Sequence, residues 1–103
     1  MRTLYYHVHM KFEFDHDKND ILASERGVSF SQIIDIIAEN GVLANIPHPN
    51  KKRYPNQFML VVEFNDYTYC VPYVLDNDVA FLKTIFPNRD FMFLLKEKND
   101  EKQ

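Results

Sequence analysis

Glycine is scarce in this chain, and that scarcity constrains the fold more than any other feature. Only Gly27 and Gly41 occur among 103 residues, and each follows a stretch with helical spacing. Because glycine readily adopts the left-handed conformation that ends many helices, the two positions predict two helix C-termini. A glycine-rich phosphate-binding loop is excluded, since such loops need several closely spaced glycines.

The composition is that of one small folded domain spanning residues 1–103. Hydrophobic residues make up 46% and aromatic residues 15%, which excludes an intrinsically disordered chain. No apolar run has the length of a membrane span, and residues 1–10 lack the apolar core of a signal peptide. The single cysteine, Cys70, cannot form an internal disulfide and fits a reducing compartment. We therefore expect a cytoplasmic protein that does not contact membranes.

Two helices are predicted, each ending at one of the glycines. The first covers 15–26, has Asp15 or Asp17 as its N-cap, and is expected on the surface because it has few apolar residues. The second begins at Ser29, which has the spacing of a capping box with Gln32. Its apolar residues recur at intervals of three and four and predict one buried face: Phe30, Ile33, Ile34, Ile37 and Ala38.

Extended segments surround the helices. Their apolar patterns predict five strands, at 3–14, 42–46, 57–64, 67–75 and 79–86. Tight turns join the last three strands, which indicates an antiparallel meander, and Pro72 implies an edge or a bulge in its strand. Residues 91–95 are ambiguous in type, and a flexible polar tail is expected over 96–103. The predicted class is α+β: an N-terminal strand, two helices, a mostly antiparallel β-meander and a short C-terminal segment.

Two features could carry chemistry but have ordinary structural explanations. His7 and His9 lie on the same strand face and would supply half a metal site, but no recognised zinc spacing is present. Cys70 lies within a strand without an adjacent base, so we interpret it as a buried, inert thiol. We expect neither a metal nor a cofactor.

A basic loop and a row of tyrosines are candidate nucleic-acid contacts. The loop carries three consecutive cations that suit RNA phosphates, although loop charge is more often simply solvated: Lys51, Lys52 and Arg53. Three tyrosines alternate along one predicted strand and could stack on bases, line an interface or be half-buried: Tyr67, Tyr69 and Tyr73.

One stretch is similar to a known family. Residues 12–30 contain Phe12-Glu13-Phe14-Asp15, then Lys18, then Arg26-Gly27-Val28-Ser29-Phe30. This pattern resembles, without gaps, the opening of the BrnT family of type II toxins. That family has Phe-Glu-Trp-Asp, a lysine three residues later, and His-Gly-Ile/Val-Ser-Phe at the same distance. A looser similarity covers 82–89, where the family has a last strand leading into an arginine. Because family members tend to begin just before the motif, residues 1–9 are expected to be an N-terminal extension or the result of an upstream start.

The resemblance implies a RelE-like fold and a toxin that inhibits translation as a metal-independent endoribonuclease. It also implies a ribbon-helix-helix antitoxin as partner, in a dimer or a toxin–antitoxin heterotetramer. Attack of a ribose 2′-hydroxyl on phosphorus needs a base, cations for the developing charge, and an acid. The candidate cations are Lys18, Arg26, Lys83 and Arg89, and the candidate proton carriers are Glu13 and His48.

The chain also departs from the family in ways that leave other functions open. Phe14 replaces the tryptophan, Arg26 replaces the histidine, and the net charge of −3 is unusual for a protein that approaches RNA. A non-catalytic relative that acts as a small protein-interaction module is the first alternative. The second is a nucleic-acid binder that uses the basic loop together with the tyrosine face.

Overall fold

The computed structural model describes the backbone of residues 10–101 and the side chains of 10–97. In chain order its elements are β1 (Lys11–Glu13), α1 (His16–Arg26), α2 (Phe30–Asn40), β2 (Ala44–Pro47), β3 (Gln57–Phe64), β4 (Tyr67–Asp76), β5 (Val79–Leu82), β6 (Phe86–Pro87), a 3₁₀-helix (Arg89–Phe91) and α3 (Met92–Glu101). Three α-helices and a mixed sheet therefore make up the described part of the chain, which confirms the predicted α+β class.

Local hydrogen bonds set the ends of α1 and α2. The Asp15 carboxylate caps α1 by accepting from the Lys18 N–H at 3.0 Å. Gly27 ends α1 in the left-handed region, with φ at 72°. Ser29 and Gln32 form the predicted capping box: the Ser29 N–H donates to Gln32 Oε1 at 2.9 Å, and the Gln32 N–H donates to Ser29 Oγ at 3.1 Å.

Helix α2 turns a narrower apolar stripe to the sheet than the sequence predicts. Phe30, Ile33 and Ile37 are buried, whereas Ala38 is exposed. The prediction for Ala38 was wrong because this residue lies about 100° around the helix from Ile37, outside the packed stripe. As predicted, α1 is mostly exposed and buries only Leu22.

The sheet has the strand order β1-β5-β4-β3-β2, and β6 pairs with β4 beyond the end of β5. Strand β1 runs parallel to β5, and the remaining pairs are antiparallel. Asn65 and Asp66 join β3 to β4 with φ values of 53° and 61°, the backbone of a type I′ hairpin turn. The predicted Asn-Asp turn is thereby confirmed.

Helices cover both faces of the sheet to different extents. The inner face packs on α1 and α2 and is fully buried at Leu60, Val62 and Val71. The outer face carries the alternate residues of the same strands. Helix α3 packs over its β4 part, where Cys70 is buried, and Val61 of β3, opposite Cys70, is buried as well. The outer face is left partly open next to α3.

Several strand predictions need correction. The predicted strand 79–86 is broken into β5 and β6, because Pro72 of the neighbouring strand has no N–H to donate where the break occurs. The Pro72 carbonyl still accepts from the Lys83 N–H of that segment at 2.8 Å. The strand predicted at 42–46 runs instead from Ala44 to Pro47.

The two ends of the chain also differ from prediction. Of the leading strand predicted at 3–14, the described part is strand only over Lys11–Glu13, and residues 1–9 lie outside the description. The ambiguous segment 91–95 enters α3, and this helix continues into the predicted polar tail as far as Glu101.

Candidate functional site on the outer sheet face

A groove of about 400 Å³ opens on the outer face of the sheet. Its walls are mainly apolar, and the side chains on this face that form them are Ile46, Met59, Pro72, Val74 and Phe91. Three polar side chains on this face also line it: His48, Gln57 and Lys83. The groove therefore combines an apolar surface with a cation and two groups that can donate hydrogen bonds.

Lys83 reaches the groove because it continues the alternation of β5. Phe81 lies opposite Val74 of β4, which places its side chain on the outer face, and Lys83 follows two residues later. Its ammonium lies 5.1 Å from the centroid of the Phe81 ring, close enough for a cation–π interaction. The hydrogen bond from the Lys83 N–H to the Pro72 carbonyl holds Lys83 next to β4.

The loop between β2 and β3 positions His48. The His48 N–H donates to the Gln57 carbonyl at 2.9 Å, which ties the residue to the start of β3. Nδ1 of its ring accepts from the Asn50 N–H at 3.0 Å. Because Nδ1 is the acceptor, the neutral ring carries its proton on Nε2. His48 is therefore a hydrogen-bond donor at Nε2.

The basic loop is joined to His48 by contacts between side chains. The rings of His48 and Tyr54 are 4.5 Å apart, and the Arg53 guanidinium carbon lies 5.5 Å from the Tyr54 ring centroid. Asn50 orders this turn, because its side chain accepts from the Arg53 N–H and its carbonyl accepts from the Tyr54 N–H. Lys51 and Lys52 lie in the same turn and are exposed.

The predicted cations do not meet in this groove. Lys83 lines it, whereas Lys18 and Arg26 lie near opposite ends of α1, on the helix that packs against the inner face. Lys18 is exposed, and the Arg26 guanidinium donates to the carbonyl of Ile85. Ile85 lies in the break between β5 and β6, so Arg26 fastens the end of α1 to the sheet.

Two further predicted residues lie outside the groove lining. Arg89 begins the 3₁₀-helix next to Asn88, whose N–H donates to the Thr68 carbonyl near the start of β4. Glu13 of β1 pairs with Phe81 and so lies on the outer face, the same face as Lys83. Neither Arg89 nor Glu13 lines the groove.

The tyrosine row faces the helices. Tyr73 is buried, stacks on Phe58 with ring centroids 5.5 Å apart, and donates to Asn45 Oδ1 at 2.9 Å. Tyr69 packs against the core cluster, and Tyr67 is half-buried. The sequence-based suggestion that these rings stack on bases is wrong for Tyr73, because its ring has no free surface.

The remaining sequence candidates do not form a second site. Cys70 is buried, as predicted, and burial raises the pKa of its thiol although a hydrogen bond from Asn88 acts in the opposite direction. Within residues 10–97, no group of three or more metal-ligating side chains comes together. His7 and His9 lie outside the described residues. No helix in the described part of the chain has the length and apolarity to cross a membrane.

Sequence reasoning treated His48 as a secondary candidate, noted Tyr54 only as the aromatic neighbour of the basic loop, and missed Gln57. The useful signal was the pair of prolines that flank His48, Pro47 and Pro49. They restrict the backbone around an imidazole that can donate and accept hydrogen bonds. No protein-family model matches the chain, and no curated protein or solved structure shows significant similarity to it.

Proposed function

We propose that this chain is the toxin component of a type II toxin–antitoxin pair and acts as an endoribonuclease at the outer-face groove. One observation carries the proposal: His48 and Lys83 come from distant parts of the sequence and line the same groove. A cation and a hydrogen-bond donor are the groups that stabilise a phosphate during strand cleavage. The proposed setting is the cytoplasm, with a ribbon-helix-helix antitoxin as partner.

The BrnT-like motif supports the proposal because most of its recognisable residues have a structural task. Phe12 and Phe14 pack against the core, Asp15 caps α1, Gly27 ends it, and Ser29 caps α2. The motif thus encodes a strand followed by two capped helices. We infer that the element order, with β1 at the sheet edge and antiparallel strands after the helices, is the RelE-like order.

The proposed reaction is attack of a ribose 2′-oxygen on the adjacent phosphorus. The 2′-hydroxyl gives its proton to water as the new O–P bond forms. The bond to the 5′-oxygen of the next nucleotide breaks, that oxygen takes a proton from water, and the products are a 2′,3′-cyclic phosphate and a 5′-hydroxyl. The Lys83 ammonium would neutralise charge on the phosphorane, and the Nε2–H of His48 would donate to one of its oxygens. Arg26 is assigned a structural task here, since its guanidinium is bound to the Ile85 carbonyl.

The acidity of the chain is compatible with RNA binding only if the cations act locally. The net charge is −3, so long-range attraction to RNA is weak. Arg53 is joined to the groove through Tyr54 and His48, and Lys51 and Lys52 lie in the same turn. We propose that this loop contacts the phosphates that flank the cleaved one.

The test is induced expression with a translation readout, followed by RNA cleavage with purified protein. Wild type should arrest translation and growth, and Lys83→Ala should relieve the arrest. The matched control is Lys18→Ala, which removes an exposed lysine of α1 that does not line the groove. Equal relief by both variants, with both proteins folded, would contradict the assignment of the site.

The alternative is a non-catalytic protein-interaction module, and the apolar walls of the groove are the observation that favours it. This function predicts that wild-type expression leaves translation unaffected and that the chain binds a partner protein all the same. A short reading frame of ribbon-helix-helix type immediately downstream would favour the toxin.

A further inference from the structure

We propose that Gln57 reads the base of the nucleotide at the cleavage site and that the base it selects is adenine; this inference rests on the proposed ribonuclease function. Gln57 begins β3 and lies opposite Val74 in the register, so its side chain belongs to the outer face. It lines the groove together with His48 and Lys83.

The side chain of Gln57 is available, whereas its backbone is occupied. Its N–H donates to the Tyr54 carbonyl at 3.3 Å, and its carbonyl accepts from the His48 N–H at 2.9 Å. These two bonds fix the residue in the groove wall. The carboxamide is half-buried and has no hydrogen-bond partner among residues 10–97. A half-buried amide favours a ligand that satisfies both its donor and its acceptor.

A carboxamide of this kind suits the edge of a nucleobase. Its NH₂ and C=O lie side by side, and in nucleic-acid recognition glutamine pairs in this bidentate way with the amino group and ring nitrogen of adenine. Proteins that read RNA sequence usually bind unpaired bases whose edges are free. Gln57 therefore fits an adenine in single-stranded RNA.

The rest of the groove fits the other parts of the same nucleotide. Met59, Pro72 and Phe91 provide apolar surface for the faces of the base, and Lys83 provides the charge for its phosphate. The volume of about 400 Å³ lies within the range of roughly 300 to 1,000 Å³ that is usual for ligand sites. A cation and an unpartnered amide in one apolar groove favour a nucleotide over an apolar segment of a partner protein.

The test compares cleavage of four single-stranded RNA oligonucleotides that differ only in one central base. Wild type should cleave the adenine substrate fastest. Gln57→Ala should reduce the preference for adenine about tenfold, the discrimination typical of one bidentate contact. Gln57→Glu has nearly the same shape but cannot donate, so it should also lose the preference, and it covers the case in which the alanine variant fails to fold. Asn56→Ala is the control, because Asn56 is exposed and does not line the groove.

The outcomes separate this inference from the proposed function. If wild type cleaves RNA but both Gln57 variants keep the adenine preference, the base-reading role is overturned and the nuclease stands. If wild type cleaves none of the four substrates, the proposed function itself fails. If the Gln57 variants weaken binding to a co-expressed antitoxin and leave base preference unchanged, the groove takes protein, and the inference is overturned.

Discussion

The backbone N–H of Asn50 donates to Nδ1 of His48 at 3.0 Å, and this bond determines which ring nitrogen offers a proton. With Nδ1 accepting, the neutral imidazole has its hydrogen on Nε2. Asn50 also orders the turn that follows, since its side chain accepts from the Arg53 N–H at 3.2 Å. Asn50 therefore both selects the tautomer of His48 and holds the basic loop in position.

We predict that His48→Gln retains more activity than His48→Asn. A glutamine amide can place an N–H near the position of Nε2, whereas the amide of asparagine is too short to reach it. If His48 acts as a donor, cleavage by His48→Gln should exceed cleavage by His48→Asn by about tenfold, because one donor to a developing charge contributes at least that much. Single-turnover cleavage of RNA measures this ratio, and thermal unfolding of both variants provides the control. Equal loss in both variants would indicate that His48 transfers protons instead.

We predict that Arg26→Ala lowers stability without changing the cleavage rate per folded molecule. The substitution removes a charged donor from the carbonyl of Ile85, a residue with no exposed surface. Because Arg26 itself is exposed, we expect a loss of about 1 to 2 kcal/mol in the free energy of unfolding. Urea unfolding measures the loss. A large fall in activity at unchanged stability would instead assign Arg26 to RNA binding.

The N-cap of α2 allows a matched pair of serine variants. Ser29→Ala removes the oxygen that accepts from the Gln32 N–H and should lower the free energy of unfolding by about 1 kcal/mol. Ser31→Ala, two residues later, changes an exposed helical position and should leave stability nearly unchanged. Urea unfolding of both variants gives the difference. A loss in Ser31→Ala as large as that in Ser29→Ala would contradict the assignment of the cap.

The sequence predicted those features whose stabilising contacts are local. Ser29 and Gln32 are three residues apart, so the capping box is visible in the sequence and the start of α2 follows from it. The bounds of β3 were predicted correctly, since a turn at Asn65 and Asp66 follows directly on its apolar run.

Features that depend on pairing between distant segments were not predictable in this way. The break between β5 and β6 depends on Pro72 lying beside Lys83, a relationship that only the sheet register creates. The register also brings Lys83 into the groove that His48 lines, whereas the sequence grouped Lys83 with Lys18, Arg26 and Arg89. Similarly, alternation placed Tyr73 on a single face but could not show that this face lies under the helices.

Cys70 gives the last prediction, a loss of stability at alkaline pH. Burial raises the pKa of its thiol above the ordinary value of 9.0, so the folded chain keeps the proton at a pH where the unfolded chain has lost it. Well below pH 9.0 the thiol is protonated in both states and its full contribution to stability is present. As the pH rises beyond that point, the unfolded state is favoured by ionisation, and the contribution declines until the folded thiol also ionises. Urea unfolding between pH 7 and pH 10.5 should show this decline in the wild type and a weaker one in Cys70→Ala.

Modification of the native thiol by a disulfide reagent at neutral pH should be slow and should become complete on unfolding, because the side chain is buried. Rapid modification of the folded protein, or identical pH profiles for the two proteins, would contradict this explanation.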